Sequence, residues 1–238
     1  MIWWIIATLC AFYIKGLCGF ANTLLFGSIL SFTTDNINIS PVELLLGYPT
    51  NIILAWKERK SIDWRICVPL ALLVVAGIVP GVLFLKNADT SFIKIIFGVV
   101  IILVSFEMLI REWRTKKTKQ SKLVLVIIGI ISGLLCGLYG IGALVGAYVG
   151  RVTEDNRSFK GNICVVFWVE STIRLILYTL WGIITFETFK QAIQLIPFML
   201  IGLLLGMFSE KFLNEKLVKK IVIFMLMVSG VVLIMNNL

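Results

Sequence analysis

GLCGFAN, Gly16 to Asn22, and GLYGIGA, Gly137 to Ala143, each break a long apolar run, and the two breaks lie 121 residues apart. Without them, Ile2 to Phe32 and Leu123 to Gly150 would each read as one membrane helix. How these two segments meet the bilayer decides the fold. Either each crosses it once with a kink, or each dips in and returns as a re-entrant hairpin.

The surroundings are those of a polytopic membrane protein. Of 238 residues, 59% are hydrophobic and 15% charged, and the mean hydropathy is +1.00, outside the range of a soluble domain. Further apolar segments run over 41–56, 66–85, 91–110, 159–181, 189–208 and 217–235, near the ~20 residues that a bilayer core requires. The net charge of +9 sits in short loops beside these segments, where Lys and Arg act as topology signals, so no nucleic acid partner is implied. The N-terminal MIWWIIATLC has neither a basic leader nor a cleavage site, so it is expected to be retained. Five cysteines lie inside apolar segments, and with no His and no CxxC pair the sequence offers neither a disulfide framework nor a metal site; no cofactor is expected.

The order of segments repeats about the basic run REWRTKKTKQSK, Arg111 to Lys122. Residues 1–120 and 121–238 each read as a broken segment, a helix, a helix with a Gly-rich stretch (AGIVPG at 76–81, IGLLLG at 201–206) and a final helix. The basic residues then discriminate between the two topologies. With eight crossings, 11 Lys and Arg fall on one side and 9 on the other. With re-entrant hairpins, each half has three spans, the second half is inverted, and the split becomes 17 inside against 3 outside. The arms 2–14 and 123–135 are also ~20 Å long at 1.5 Å per residue, enough to reach the bilayer middle and not its far side. The expected fold class is therefore an all-α polytopic membrane protein of two inverted repeats, each a re-entrant helical hairpin (2–32, 123–150) plus three transmembrane helices, as transporters are often built. Both termini are then extracytoplasmic.

A helix start exposes unpaired N–H groups and partial positive charge, which suits an anion. The second arms begin near Ala21 to Thr23 and near Gly142 to Leu144, and inverted hairpins bring these starts together. Candidate substrate contacts are Gly19, Phe20, Ala21, Asn22 and Thr23 in the first break and Gly140, Ile141, Gly142 and Ala143 in the second. Gly16, Gly19, Gly137, Gly140 and Gly142 are expected to let the ligand approach the backbone, whereas Gly77, Gly81, Gly202 and Gly206 read as helix-packing positions.

Charges inside apolar segments are costly and mark function. Arg174 stands four residues after Glu170 on one helical face, so the two either form a neutralising pair or divide the work, Arg174 on the anion and Glu170 as coupling candidate. Lys15 ends the first arm and is expected to reach the substrate. Asn51 and Thr50 follow Pro49 as neutral donors. Glu107, Asp35, Asp63 and Glu187 read as solvated or capping. Cys18 and Cys136 flank the breaks, and a thiol relay between them is the competing reading, with an anion channel as a third.

Taken in order, GLCGFA, RKSIDWRICVPL and AGIVPGVLFL in the first half, and GLYGIGA, FKGNICVVF, IRLILYTLWGIIT and IGLLLG in the second, resemble the sulfite exporter TauE/SafE family, also described as the toluene sulfonate uptake permease group. The resemblance spans nearly the whole chain. It implies transport of small sulfur-containing or organic anions: sulfite, sulfonates, sulfoacetate-like compounds or thiosulfate. Arg174 and Lys160 fall where one branch of that family is commonly basic. Ala21 and Asn22 stand where further glycines are frequent, and Glu170 stands where a neutral amide is more typical.

The expected function is a secondary transporter working by alternating access and coupled to protons; with no GxxxxGK[ST] motif in the chain, an ion gradient or a separate ATPase must supply the energy. It is not an enzyme. Its partners are a small anionic substrate, the lipid bilayer and a coupling proton; a homo-oligomer is compatible with the sequence, and the direction of transport stays open.

Overall fold

A computed structural model describes residues 1–31, 39–87, 122–140, 142–153 and 155–210, with isolated positions between 95 and 110 and from 212 onward. The described residues are helical, with no strand among them. In chain order the helices are α1 (Ile2–Cys18), α2 (Asn22–Ser31), α3 (Ile39–Lys57), α4 (Trp64–Asn87), α5 (Lys122–Tyr139), α6 (Ala143–Val152), α7 (Asn156–Leu180) and α8 (Phe186–Ser209). The helices expected at 91–110 and 217–235, with Asp35 and Glu107, lie largely or wholly outside the described residues.

Local chemistry sets the helix ends. Gly19 adopts the left-handed conformation at φ 82° and its N–H returns to the Lys15 carbonyl at 2.7 Å, which closes α1. Asp155 caps α7 by accepting from the Ser158 N–H at 2.8 Å, and Thr185 with Thr188 forms a reciprocal box at the start of α8. Asp63 accepts from the Arg65 N–H at 2.9 Å, the capping role expected of it. Among the described residues three helices are long and apolar enough to cross a bilayer, over Trp64–Leu83, Asn156–Leu180 and Phe186–Ser209. Their outward side chains, among them Leu72, Leu180 and Phe208, are more than half exposed, as lipid-facing residues are.

Two glycine seams hold the bundle. Lipid tails are as apolar as leucine, so helices in a membrane associate where small residues let backbones touch. Gly77 and Gly81 of α4 lie across Gly133 and Gly137 of α5: a Cβ on Gly77 would come 2.9 Å from the Gly133 Cα, and one on Gly81 would come 3.1 Å from the Gly137 Cα. Gly202 and Gly206 of α8 meet α1 in the same way, with the Gly206 Cα 3.0 Å from a Cβ built on Gly16. Each Gly-rich helix thus packs on the first arm of the other half. The packing role of Gly77, Gly81, Gly202 and Gly206 is as expected, but Gly16 and Gly137 belong with them. Both are helical, their faces are covered by a neighbouring backbone, and they are not open to a ligand.

Beyond its break, the second arm of the first half turns back. The rings of Trp4 in α1 and Phe26 in α2 lie 5.7 Å apart in an edge-on contact, so α2 runs back toward the start of α1. In the second half Gly146 of α6 lies against Ile163 near the start of α7.

The bundle has two distinguishable ends. At one, Lys57 Nζ lies 3.5 Å from Glu210 Oε2, Lys160 Nζ lies 2.7 Å from Glu210 Oε1, and the Asp63 N–H donates to Asn162 Oδ1 at 2.7 Å. At the other, the Ser40 and Tyr178 hydroxyls are 3.0 Å apart. α3 and α7 therefore run antiparallel between them.

Candidate functional site

The two breaks come together. Lys15, Phe20, Ala21, Asn22 and Thr23 from the first half and Gly140 and Gly142 from the second line one cavity, joined by Glu43, Gly47 and Asn51 of α3 and by Phe167, Glu170, Ser171 and Arg174 of α7. Side chains fill most of the space between these elements, and the free volume left is that of about one water molecule. Most of the residues singled out in the sequence meet here. Gly19 is set back from the cavity, its carbonyl accepting from the Cys164 thiol at 3.5 Å. Ile141 and the side chain of Ala143 lie outside the described residues; the Ala143 backbone begins α6.

Four charges are buried together. Lys15 and Arg174 are 1% and 2% exposed, Glu43 and Glu170 each 3%. Arg174 spans the two carboxylates, with Nη2 at 3.3 Å from Glu43 Oε2 and Nε at 3.3 Å from Glu170 Oε1. Its Nη1 donates to the Cys136 carbonyl at 3.0 Å. The Glu170–Arg174 pair expected from the i, i+4 spacing is present, although Arg174 Nε and Glu170 Oε1 make no hydrogen bond. Among the described residues Lys15 Nζ makes no hydrogen bond and no salt bridge; it stands 6.0 Å from the centroid of the Phe12 ring and within electrostatic reach of Cys164, Glu43 and Glu170. The Asn51 amide donates to Ser171 Oγ at 3.3 Å, and its Oδ1 has no partner.

Three expectations change. Asn22 and Thr23 are not open donors: Asn22 Nδ2 and Thr23 Oγ1 bond Glu43 Oε1 at 2.5 and 2.8 Å, because a buried carboxylate must be satisfied. Thr50 donates to the Gly47 carbonyl at 2.6 Å and stays within α3, a local side-chain-to-backbone bond. The space freed by the break glycines is filled by protein. A Cβ on Gly140 would fall on the Arg174 guanidinium, one on Gly142 on the Phe167 ring, and one on Gly19 2.9 Å from Lys160 Cγ.

Glu43 and the full role of Lys160 escape a reading of the sequence. Glu43 sits one turn inside an apolar helix, which is the signal that singled out Glu170 and Arg174. Lys160 reads as a loop charge, yet it is 1% exposed beneath the end of α1, its Nζ 3.5 Å from the Gly16 carbonyl.

The sulfite exporter TauE/SafE profile matches residues 4–233. The chain belongs to the sulfite exporter TauE/SafE family. That makes it a membrane transport protein by family, in keeping with its apolar helices. It is also 22% identical over 191 residues to a probable sulfite/organosulfonate exporter TauE of Cupriavidus necator, an alignment covering 76% of this chain and 74% of that one. No solved structure matches the chain.

Proposed function

We propose that this TauE/SafE protein is a secondary transporter that moves a small sulfur-containing or organic anion of the sulfite, sulfonate or thiosulfate class across the cell membrane. The anion sits between the starts of α2 and α6, held by Lys15, Arg174 and the N–H groups of the two breaks. The observation that carries this reading is Lys15: a lysine 1% exposed, lining a cavity, with no hydrogen-bond or salt-bridge partner among the described residues. A buried ammonium is costly without direct polar contacts, and a bound anion supplies them.

Alternating access by inverted halves fits the packing. α4 lies on α5 and α8 lies on α1, a reciprocal exchange between the halves, and each seam joins a spanning helix to an arm that ends at the site. The re-entrant topology is supported by the Trp4–Phe26 contact and by Lys57, Lys160 and Glu210 at one end. With eight crossings, Lys57 would face the opposite side of the membrane from the other two. Glu170, whose Oε1 has no hydrogen-bond donor, is the candidate to carry a coupling proton.

Proteoliposomes preloaded with sulfite, thiosulfate or a sulfonate test the function. Saturable counterflow of labelled anion supports a transporter. Non-saturating flux indicates a channel, and flux equal to that of empty vesicles rejects anion transport. Activity that vanishes when both Cys18 and Cys136 become Ala would favour the thiol relay.

A further inference from the structure

We infer that the Glu43 carboxylate is a resident stand-in for the transported anion, occupying donors on α2 and Arg174 that the anion takes over when it binds. The inference rests on the anion-transport reading. Three donors from two helices converge on this one side chain of a third: Asn22 Nδ2 at 2.5 Å, Thr23 Oγ1 at 2.8 Å and Arg174 Nη2 at 3.3 Å. A carboxylate and a sulfur oxyanion present the same charged acceptor oxygens, so a donor set that satisfies one satisfies the other.

Charge balance favours the exchange. Lys15 and Arg174 already face Glu43 and Glu170, so an anion added to the intact set leaves a surplus negative charge in a buried place where repulsion is poorly screened. Withdrawal of Glu43 removes that surplus and frees three donors at once. Lys15, with no ion pair, is the group the anion meets before the exchange.

α3 is shaped around Glu43. One turn along, Gly47 makes room for the carboxylate, since a Cβ there would come 3.1 Å from Glu43 Oε1. Two residues further, Pro49 removes a backbone hydrogen bond from α3, a point at which the helix can bend.

The test compares thermal unfolding of purified wild type, Glu43→Gln and Glu43→Ala, titrated with sulfite, methanesulfonate and formate. Sulfite is expected to stabilise both variants at concentrations at least tenfold lower than wild type requires, and formate to stabilise Glu43→Ala alone. A sulfite response in the variants equal to or weaker than that of wild type overturns the inference. So does formate rescue of Glu43→Ala with an unchanged sulfite response, since Glu43 would then be only a strut. Should Glu43→Ala not fold, the near-isosteric Glu43→Gln carries the comparison. These measurements need no flux, whereas the transport reading fails separately if wild-type proteoliposomes move no sulfur oxyanion.

Discussion

Arg174 reaches Glu43 across 131 residues of sequence, Nη2 to Oε2 at 3.3 Å, and so ties α7 of the second half to α3 of the first beside both helix breaks. Every other buried charge of the cavity is read by its relation to that pair.

Replacing Arg174 with Gln leaves Glu43 and Glu170 buried without their shared cation. Breaking a buried pair by removing one partner costs about 3–5 kcal/mol. Arg174→Gln is expected to lower the unfolding midpoint in detergent sharply and to abolish sulfite counterflow. Arg174→Lys keeps the charge but lacks the fork that spans two carboxylates, so it is expected to recover part of the stability and little of the transport.

The packing glycines and the open glycine should separate cleanly. Gly206→Val drives a side chain into the Tyr13 and Gly16 backbone and is expected to force α8 off α1, with a large loss of stability. Gly27 has nothing within 4 Å of an added Cβ, and Gly27→Ala is expected to be neutral or slightly stabilising. Unfolding midpoints of the two variants measured side by side check this.

Ala21 sits at φ 71°, the left-handed region that costs an L-residue about 1–2 kcal/mol. Ala21→Gly removes that strain and is expected to raise the unfolding midpoint. Gly140→Ala acts in the opposite sense, because Gly140 is at φ 72° and its Cβ would displace the Arg174 guanidinium. Sulfite binding is expected to be lost in Gly140→Ala and kept in Ala21→Gly.

Topology has its own test. In a chain with its five native cysteines replaced, Lys57→Cys and Glu210→Cys are expected to crosslink through a short bifunctional thiol reagent in native membranes. Eight crossings would place these two positions on opposite membrane faces, where no crosslink forms.

The breaks were legible because glycines dense enough to stop a helix, in apolar segments too long for one span, have few other uses. Within each cluster the division of labour was not. Gly16 and Gly19 look alike in sequence, and only the helix lying across each makes one a seam and the other a turn. Arg174 with Glu170 was readable from a four-residue spacing on one face. Glu43 takes its meaning from Asn22 and Thr23 on another helix and from Arg174 in the other half, contacts that no local pattern encodes. The donors Asn22 and Thr23 were correctly placed at the helix start, but their acceptor was invisible.

A small anion held on Lys15 between the two breaks has one direct measurement: thermal unfolding of wild type and Lys15→Met against sulfite, thiosulfate, sulfonates and carboxylates. A ligand that binds only the folded state raises the midpoint with its concentration. At least one sulfur anion is expected to do so in wild type, and Lys15→Met is expected to need roughly 10–100 times more of it, the loss of one charge-assisted contact of about 1.5–3 kcal/mol. No response in wild type, or the same response in both proteins, would contradict the assignment.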